Sequence, residues 1–203
     1  MITEIGRSLN SAVSLKKVEE RFCRKLAKAQ ISQVIHHQIA RHASSQITEE
    51  SLLMLDISDV KKKYAQHMEY LARVRDGSSE KGELVNGYWT INVIATQLNS
   101  PHITPVYHGL YSQEAPDFES ENDEILDAID HIIKYTSNRG TRVIDPGGYP
   151  NTIFLPLLRK KRQFIIRLTG LRHLICGNKV ASAFSLAYDC SCPYSELIVK
   201  VKH

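Results

Sequence analysis

No apolar run in this 203-residue chain approaches the roughly 20 residues that a membrane-spanning helix needs. Met1 to Asn10 is mixed and polar, without the apolar stretch of a secretory signal. A cytoplasmic location and no membrane partner are therefore the expectation. Cysteine is also scarce. Cys23, Cys176, Cys190 and Cys192 do not make a disulfide framework in a chain this long, so reduced thiols are expected. His173, Cys176, Cys190 and Cys192 match no standard zinc spacing, because one residue between Cys190 and Cys192 is too tight for the usual knuckle.

Acidic residues are missing from Pro146 to Tyr188. The same stretch carries Arg159, Lys160, Lys161, Arg162, Arg167, Arg172 and Lys179, whereas Glu114 to Asp130 is strongly acidic. The net charge of +4 hides this asymmetry. An uninterrupted basic segment is the electrostatic footprint of a nucleic-acid surface, and a solvated face is the plainer alternative.

What is present begins with a hydrophobic share of 42%, enough for a core. Ser14 to Ala43 has a helical period, with a stripe of Val18, Phe22, Leu26, Ala29, Val34 and Ile39 and a basic opposite face. Ser51 to Ser58 is a short apolar strand, and Tyr64, Met68 and Leu71 recur at helical spacing after it. Gly87 to Leu98 and His102 to Tyr111 read as strands, with Pro105 at an edge or bulge. Glu121 to Tyr135 is an amphipathic helix stopped at Asn138-Arg139-Gly140. Thr141 to Asp145 is a strand, Tyr149 to Lys161 a helix interrupted at Pro156, and Gln163 to Thr169 a strand. Lys179 to Tyr188 and Ser195 to Lys202 pattern as a hairpin.

Two aspartates stand out in this order. Asp56 closes Leu52-Leu53-Met54-Leu55, and Asp145 closes Val143-Ile144 before Pro146-Gly147-Gly148. A carboxylate at the tip of a buried strand is costly unless a cation holds it. Right-handed crossovers after each helix would return the later strands parallel to the first, so the two aspartates would sit on neighbouring strands, roughly 4.8 Å apart. That is close enough to share divalent metal ions. Taken singly, each aspartate also reads as an ordinary turn or cap acid. Asp59 and Asp76 read as local turn residues, and Tyr88 and Trp89 as core.

The local sequence carries a resemblance. Leu53-Met54-Leu55-Asp56-Ile57-Ser58-Asp59-Val60-Lys61, Met68-Glu69-Tyr70-Leu71, Arg75-Asp76-Gly77-Ser78, Gly87-Tyr88-Trp89 and Val143-Ile144-Asp145-Pro146-Gly147-Gly148 follow in order. With Phe164-Ile165-Ile166-Arg167 and Arg172-His173-Leu174, they resemble the catalytic domain of bacterial insertion-sequence transposases of the DDE class over about residues 45 to 180. The resemblance implies an α/β fold, a ribonuclease-H-like mixed sheet flanked by helices, with an N-terminal helical segment and part of a β-rich insertion. It divides the chain into 1–47, 48–169 and 170–203. Asp56 and Asp145 would be the first two acidic ligands of a two-metal Mg²⁺ or Mn²⁺ site.

The family's third ligand, a glutamate on a later helix, has no counterpart among the only later acids, Asp189 and Glu196. Pro146 also stands where the family often has Arg. The expectation is a member truncated at both ends. The implied activity is metal-dependent cleavage and strand transfer of double-stranded DNA, with self-association or a full-length transposase as further partners. Lys61, Arg159, Lys160, Lys161, Arg162 and Arg167 are the candidate DNA-binding residues. The alternatives are an inactive fragment that only binds DNA or a partner, and a ribonuclease-H-like nuclease outside transposition.

Overall fold

The structure, a computed structural model, describes residues 2–9, 11–26, 31–79, 82–98, 100–145, 150–167, 173–176 and 178–189. Among them are helices α1 (Ile2–Ser8), α2 (Leu15–Leu26) and α3 (Ile31–Ser44), then strands β1 (Leu52–Lys61), β2 (Ala72–Arg75), β3 (Leu84–Thr96) and β4 (Thr104–Tyr111). Helix α4 (Glu121–Thr136), β5 (Thr141–Ile144), α5 (Pro150–Arg159) and β6 (Phe164–Ile166) follow. The described part ends with β7 (His173–Cys176), β8 (Lys179–Ser182) and α6 (Ala183–Asp189).

The fold is α/β, with a mixed six-stranded sheet flanked by helices. The sheet runs β2-β3-β1-β5-β6, and β4 also pairs with β3. β3 is antiparallel to β1, β2 and β4, whereas β5 is parallel to both β1 and β6. Alternation along the strands splits the sheet into two faces. Leu53, Leu55, Ile91, Val93 and Ile144 lie on one, buried under Ile125, Ile129 and Ile132 of α4, Ile153 and Leu157 of α5, and Ala43 of α3. The opposite face carries Asp56, Asn92 and Ile165, with no helix of this core cluster upon it.

Helix α4 is the best-specified element. Ser120 caps it by accepting a hydrogen bond from the Asp123 amide at 3.2 Å, and acids fill its first turn. It ends with Ser137 and Asn138 at positive φ. Gly140 follows at φ 79°, where a Cβ would stand 2.8 Å from the Ser51 carbonyl oxygen. Only glycine lets β5 start this close beside β1.

Several elements depart from the sequence pattern. β1 continues to Lys61, so Asp56 is a mid-strand residue paired with Asn92 and not a strand tip. The helical spacing of Tyr64, Met68 and Leu71 belongs to an irregular loop that leads into β2. In the N-terminal region Val18 is buried, but Val34 is 59% exposed. α3 instead buries Ala40 and Ala43, with the His36 ring 5.3 Å from that of Tyr107 and 6.3 Å from that of His131. Aromatic stacking, invisible to an aliphatic count, turns the helix.

Helix α5 runs through Pro156 without interruption, since Ile153 and Leu157 bury on both sides of it. Pro105 lies where the β3–β4 register shifts, as a bulge residue should. Past β6, the hairpin is β7–β8, and Ala183 to Asp189 is helical rather than extended. Residues 195–202, the expected second arm of a hairpin, lie outside the described residues.

Candidate metal centre

The site is built by the register of four strand pairs. β1 and β5 pair in parallel with Leu55 opposite Ile144, so Asp56 and Asp145 occupy the next position on neighbouring strands. β1 and β3 place Asp56 opposite Asn92, and β3 and β4 place Asn92 opposite His108. β5 and β6 pair Ile144 with Ile166, which brings Arg167 level with Asp145. The result is a polar row across five strands: His108, Asn92, Asp56, Asp145, Arg167.

Hydrogen bonds join neighbours at both ends of the row. Ser58 Oγ donates to Asp56 Oδ2 at 2.8 Å. Arg167 Nη1 donates to Asp145 Oδ2 at 3.1 Å. The Asn92 Oδ1 and His108 Nδ1 atoms are 2.6 Å apart, and Asn92 Nδ2 lies 3.3 Å from Thr90 Oγ1. Thr90 Oγ1 donates to the Ser58 carbonyl at 3.1 Å. Both aspartates are exposed, so the desolvation penalty anticipated for buried strand tips does not arise. The feature that sets this position apart is two carboxylates at adjacent register positions, not burial.

Among the described residues no group of three or more His, Cys, Asp or Glu side chains is arranged to hold a metal ion. Two carboxylates nonetheless suit a hydrated hard cation, because Mg²⁺ keeps most of its waters and takes one or two protein oxygens. Arg167 already neutralises part of Asp145's charge. No family model matches this chain, and no curated protein matches it.

The candidate DNA-binding residues divide. Lys61 is engaged by Asp76 and Ser78 at the β2–β3 turn. That lysine and the Ser78 hydroxyl hold the Asp76 carboxyl down to about 2. Asp59 Oδ1 accepts from the Gly77 amide at 3.4 Å, so Asp59 and Asp76 both serve the turn. Lys160 and Arg162 reach Asp130 of α4 at 3.1 and 3.2 Å. Arg159 and Lys161 are exposed, Lys161 at φ 49° in the turn after α5. Arg167 belongs to the aspartate row. The basic stretch is therefore partly spent on the acidic helix beside it.

Of the zinc candidates, His173 and Cys176 stand at the two ends of β7, and Cys190 and Cys192 lie outside the described residues. Arg172 and Glu196 lie outside them too, as do Pro146, Gly147 and Gly148 after Asp145.

Sequence reading missed Asn92 and His108. Their signal was present: each is a polar residue on the face that the alternation of β3 and β4 assigns to Asp56. It becomes readable only once the register is known.

Proposed function

We propose that this chain carries the ribonuclease-H-like catalytic core of a DDE-class DNA transposase, and that Asp56 and Asp145 hold a divalent cation for DNA strand cleavage. The observation that carries the reading is the parallel pairing of β1 with β5, which sets the two aspartates side by side. The sheet order supports it: four antiparallel strands, then two parallel strands entered after helices. The local sequence around both aspartates points the same way.

In this reading Asp56 and Asp145 supply carboxylate oxygens, and Ser58 holds Asp56 in orientation through its hydroxyl. Arg167 orients Asp145 and keeps the row from becoming excessively anionic when a phosphate approaches. The cation, Mg²⁺ or Mn²⁺, would supply charge stabilisation for in-line attack on a phosphodiester. Arg159 and Lys161 are candidates to neutralise flanking phosphates, which makes binding salt-dependent.

The test is nicking of plasmid DNA that carries this coding region with its flanking DNA, in Mg²⁺ or Mn²⁺. The wild-type chain should convert supercoiled to open circles, and Asp56→Asn and Asp145→Asn should each abolish the conversion. Equal nicking by all three proteins, or none by the wild type, overturns the reading. A second reading, an inactive DNA- or partner-binding module, draws on the absence among the described residues of a third ligand beside the pair.

A further inference from the structure

A cavity of about 760 Å³ lies between the loop after β1, the end of β4 and the first turn of α4. Its volume falls within the roughly 300–1,000 Å³ of small-molecule clefts. The loop is fastened over it: Tyr88 donates to the Glu69 carbonyl at 2.6 Å and Ser112 to the Tyr70 carbonyl at 2.5 Å. The second bond holds a residue at φ 49°, a left-handed conformation that costs energy in any residue but glycine. At the mouth, Met68, Tyr70 and Leu110 are 44, 46 and 59% exposed, an apolar rim open to a ligand.

Inside, the lining is mostly apolar and aromatic. Tyr88 and Tyr111 are buried, and Phe118 stacks parallel to Tyr111 with ring centroids 6.0 Å apart. The charge set into this lining is one-sided. Glu69, Asp117 and Glu124 border the cavity against Lys62 alone. None of these four forms an ion pair among the described residues. Burial raises the Glu124 pKa, and the neighbouring Asp127, Asp117 and Asp123 raise it further. A half-buried carboxyl crowded by other acids, with no cation to answer them, leaves a deficit that a bound cation would fill. The same carboxylates repel phosphate, so neither DNA nor a nucleotide suits this cavity. Aromatic faces favour the same sign, because the ring quadrupole attracts positive charge, most strongly where water is excluded.

We propose that this cavity binds a small organic cation, an ammonium group carried on an apolar or aromatic body. The body lies against Tyr88, Tyr111 and Phe118, and the ammonium sits at Asp117 and Glu124. The site is separate from the aspartate row and does not depend on the nuclease reading.

The test is an NMR titration of the full chain with phenyltrimethylammonium, and with benzoate as a control of similar size and opposite charge. The cation should shift the Met68 and Leu110 methyl signals with a Kd of about 1 mM or tighter, and benzoate should leave them in place. Glu124→Gln and Asp117→Asn should each weaken cation binding by about five- to tenfold. Leu110→Trp, a substitution at the exposed rim, should block it. Methyl signals that do not move in the cation up to about 10 mM, or equal shifts from both probes, overturn the inference. So does wild-type affinity in both Glu124→Gln and Asp117→Asn. The comparison of probes uses the wild-type chain, so it decides even where a variant folds poorly. Nicking enters neither readout, and failure here leaves the nuclease reading standing.

Discussion

The two faces of the central sheet are made by the same strands and do opposite work. On one, Leu53, Leu55, Ile91, Val93 and Ile144 meet α4 and α5 in a continuous apolar core. On the other, one residue away along each strand, lie Asp56, Ser58, Asn92 and His108. The two-residue period of a strand is what separates them: a residue can be chosen for chemistry without touching the packing beneath it. The covered face also carries polar groups, the buried Arg142 on β5 and, toward the far end of β1, Asp59 and Lys61. There these last two hold the β2–β3 turn.

The sharpest way to break the comparison is a truncation on the covered side. Ile129 is 1% exposed at the centre of α4, within the core cluster. Ile129→Ala should cost about 2–5 kcal/mol of unfolding free energy, from lost burial and the cavity left behind. Urea or thermal unfolding measures it. A cost under about 1 kcal/mol would mean that α4 is not the lid of the core.

Much of that covered face was legible in the sequence. Ile125, Ile129 and Ile132 recur at helical spacing, and Tyr88 to Ile94 is strand-forming in composition, so α4 and β3 lie where the pattern puts them. The order of elements also placed the strand of Asp145 beside that of Asp56. What the pattern could not give was decided by long-range pairing. β1 runs past Ser58 because Asp59, Val60 and Lys61 pair with Trp89, Tyr88 and Gly87, partners more than 25 residues away. The orientation of α3 depends on His36 meeting Tyr107 and His131, rings brought together only by the fold. Asn92 and His108 escaped for the same reason. A polar residue in a strand announces a face, and only the register says whose neighbour it is.

A smaller effect is expected at the polar end of the covered face. Asp76 has its pKa lowered to about 2 by Lys61 and Ser78. A carboxylate depressed in the folded state contributes stability above its unfolded pKa, near 3.8, and loses it as pH falls through the folded value. The contribution should be complete above about pH 5, be mostly lost by about pH 2 and vanish below it. Comparing wild type with Asp76→Asn by urea unfolding across that window isolates it. The difference between the two should shrink as the pH drops, and a difference that grows would reverse the assignment.

The smallest effect should come from the open face itself. Asp56 and Asp145 are like charges at adjacent register positions, and both are exposed. At about 5 Å in water two unit charges repel by roughly 0.8 kcal/mol, and Arg167 already offsets part of that at Asp145. Asp56→Asn should therefore leave stability unchanged or raise it by less than about 1 kcal/mol at low salt in metal-free buffer. Screening should roughly halve the gain near physiological ionic strength, where the Debye length is about 8 Å, and remove most of it near 1 M salt, where it is about 3 Å. Unfolding midpoints at two salt concentrations measure this. A loss above about 1 kcal/mol would show that Asp56 braces the sheet, because a residue kept for its charge can be neutralised without cost to the fold, and one kept for packing or hydrogen bonding cannot.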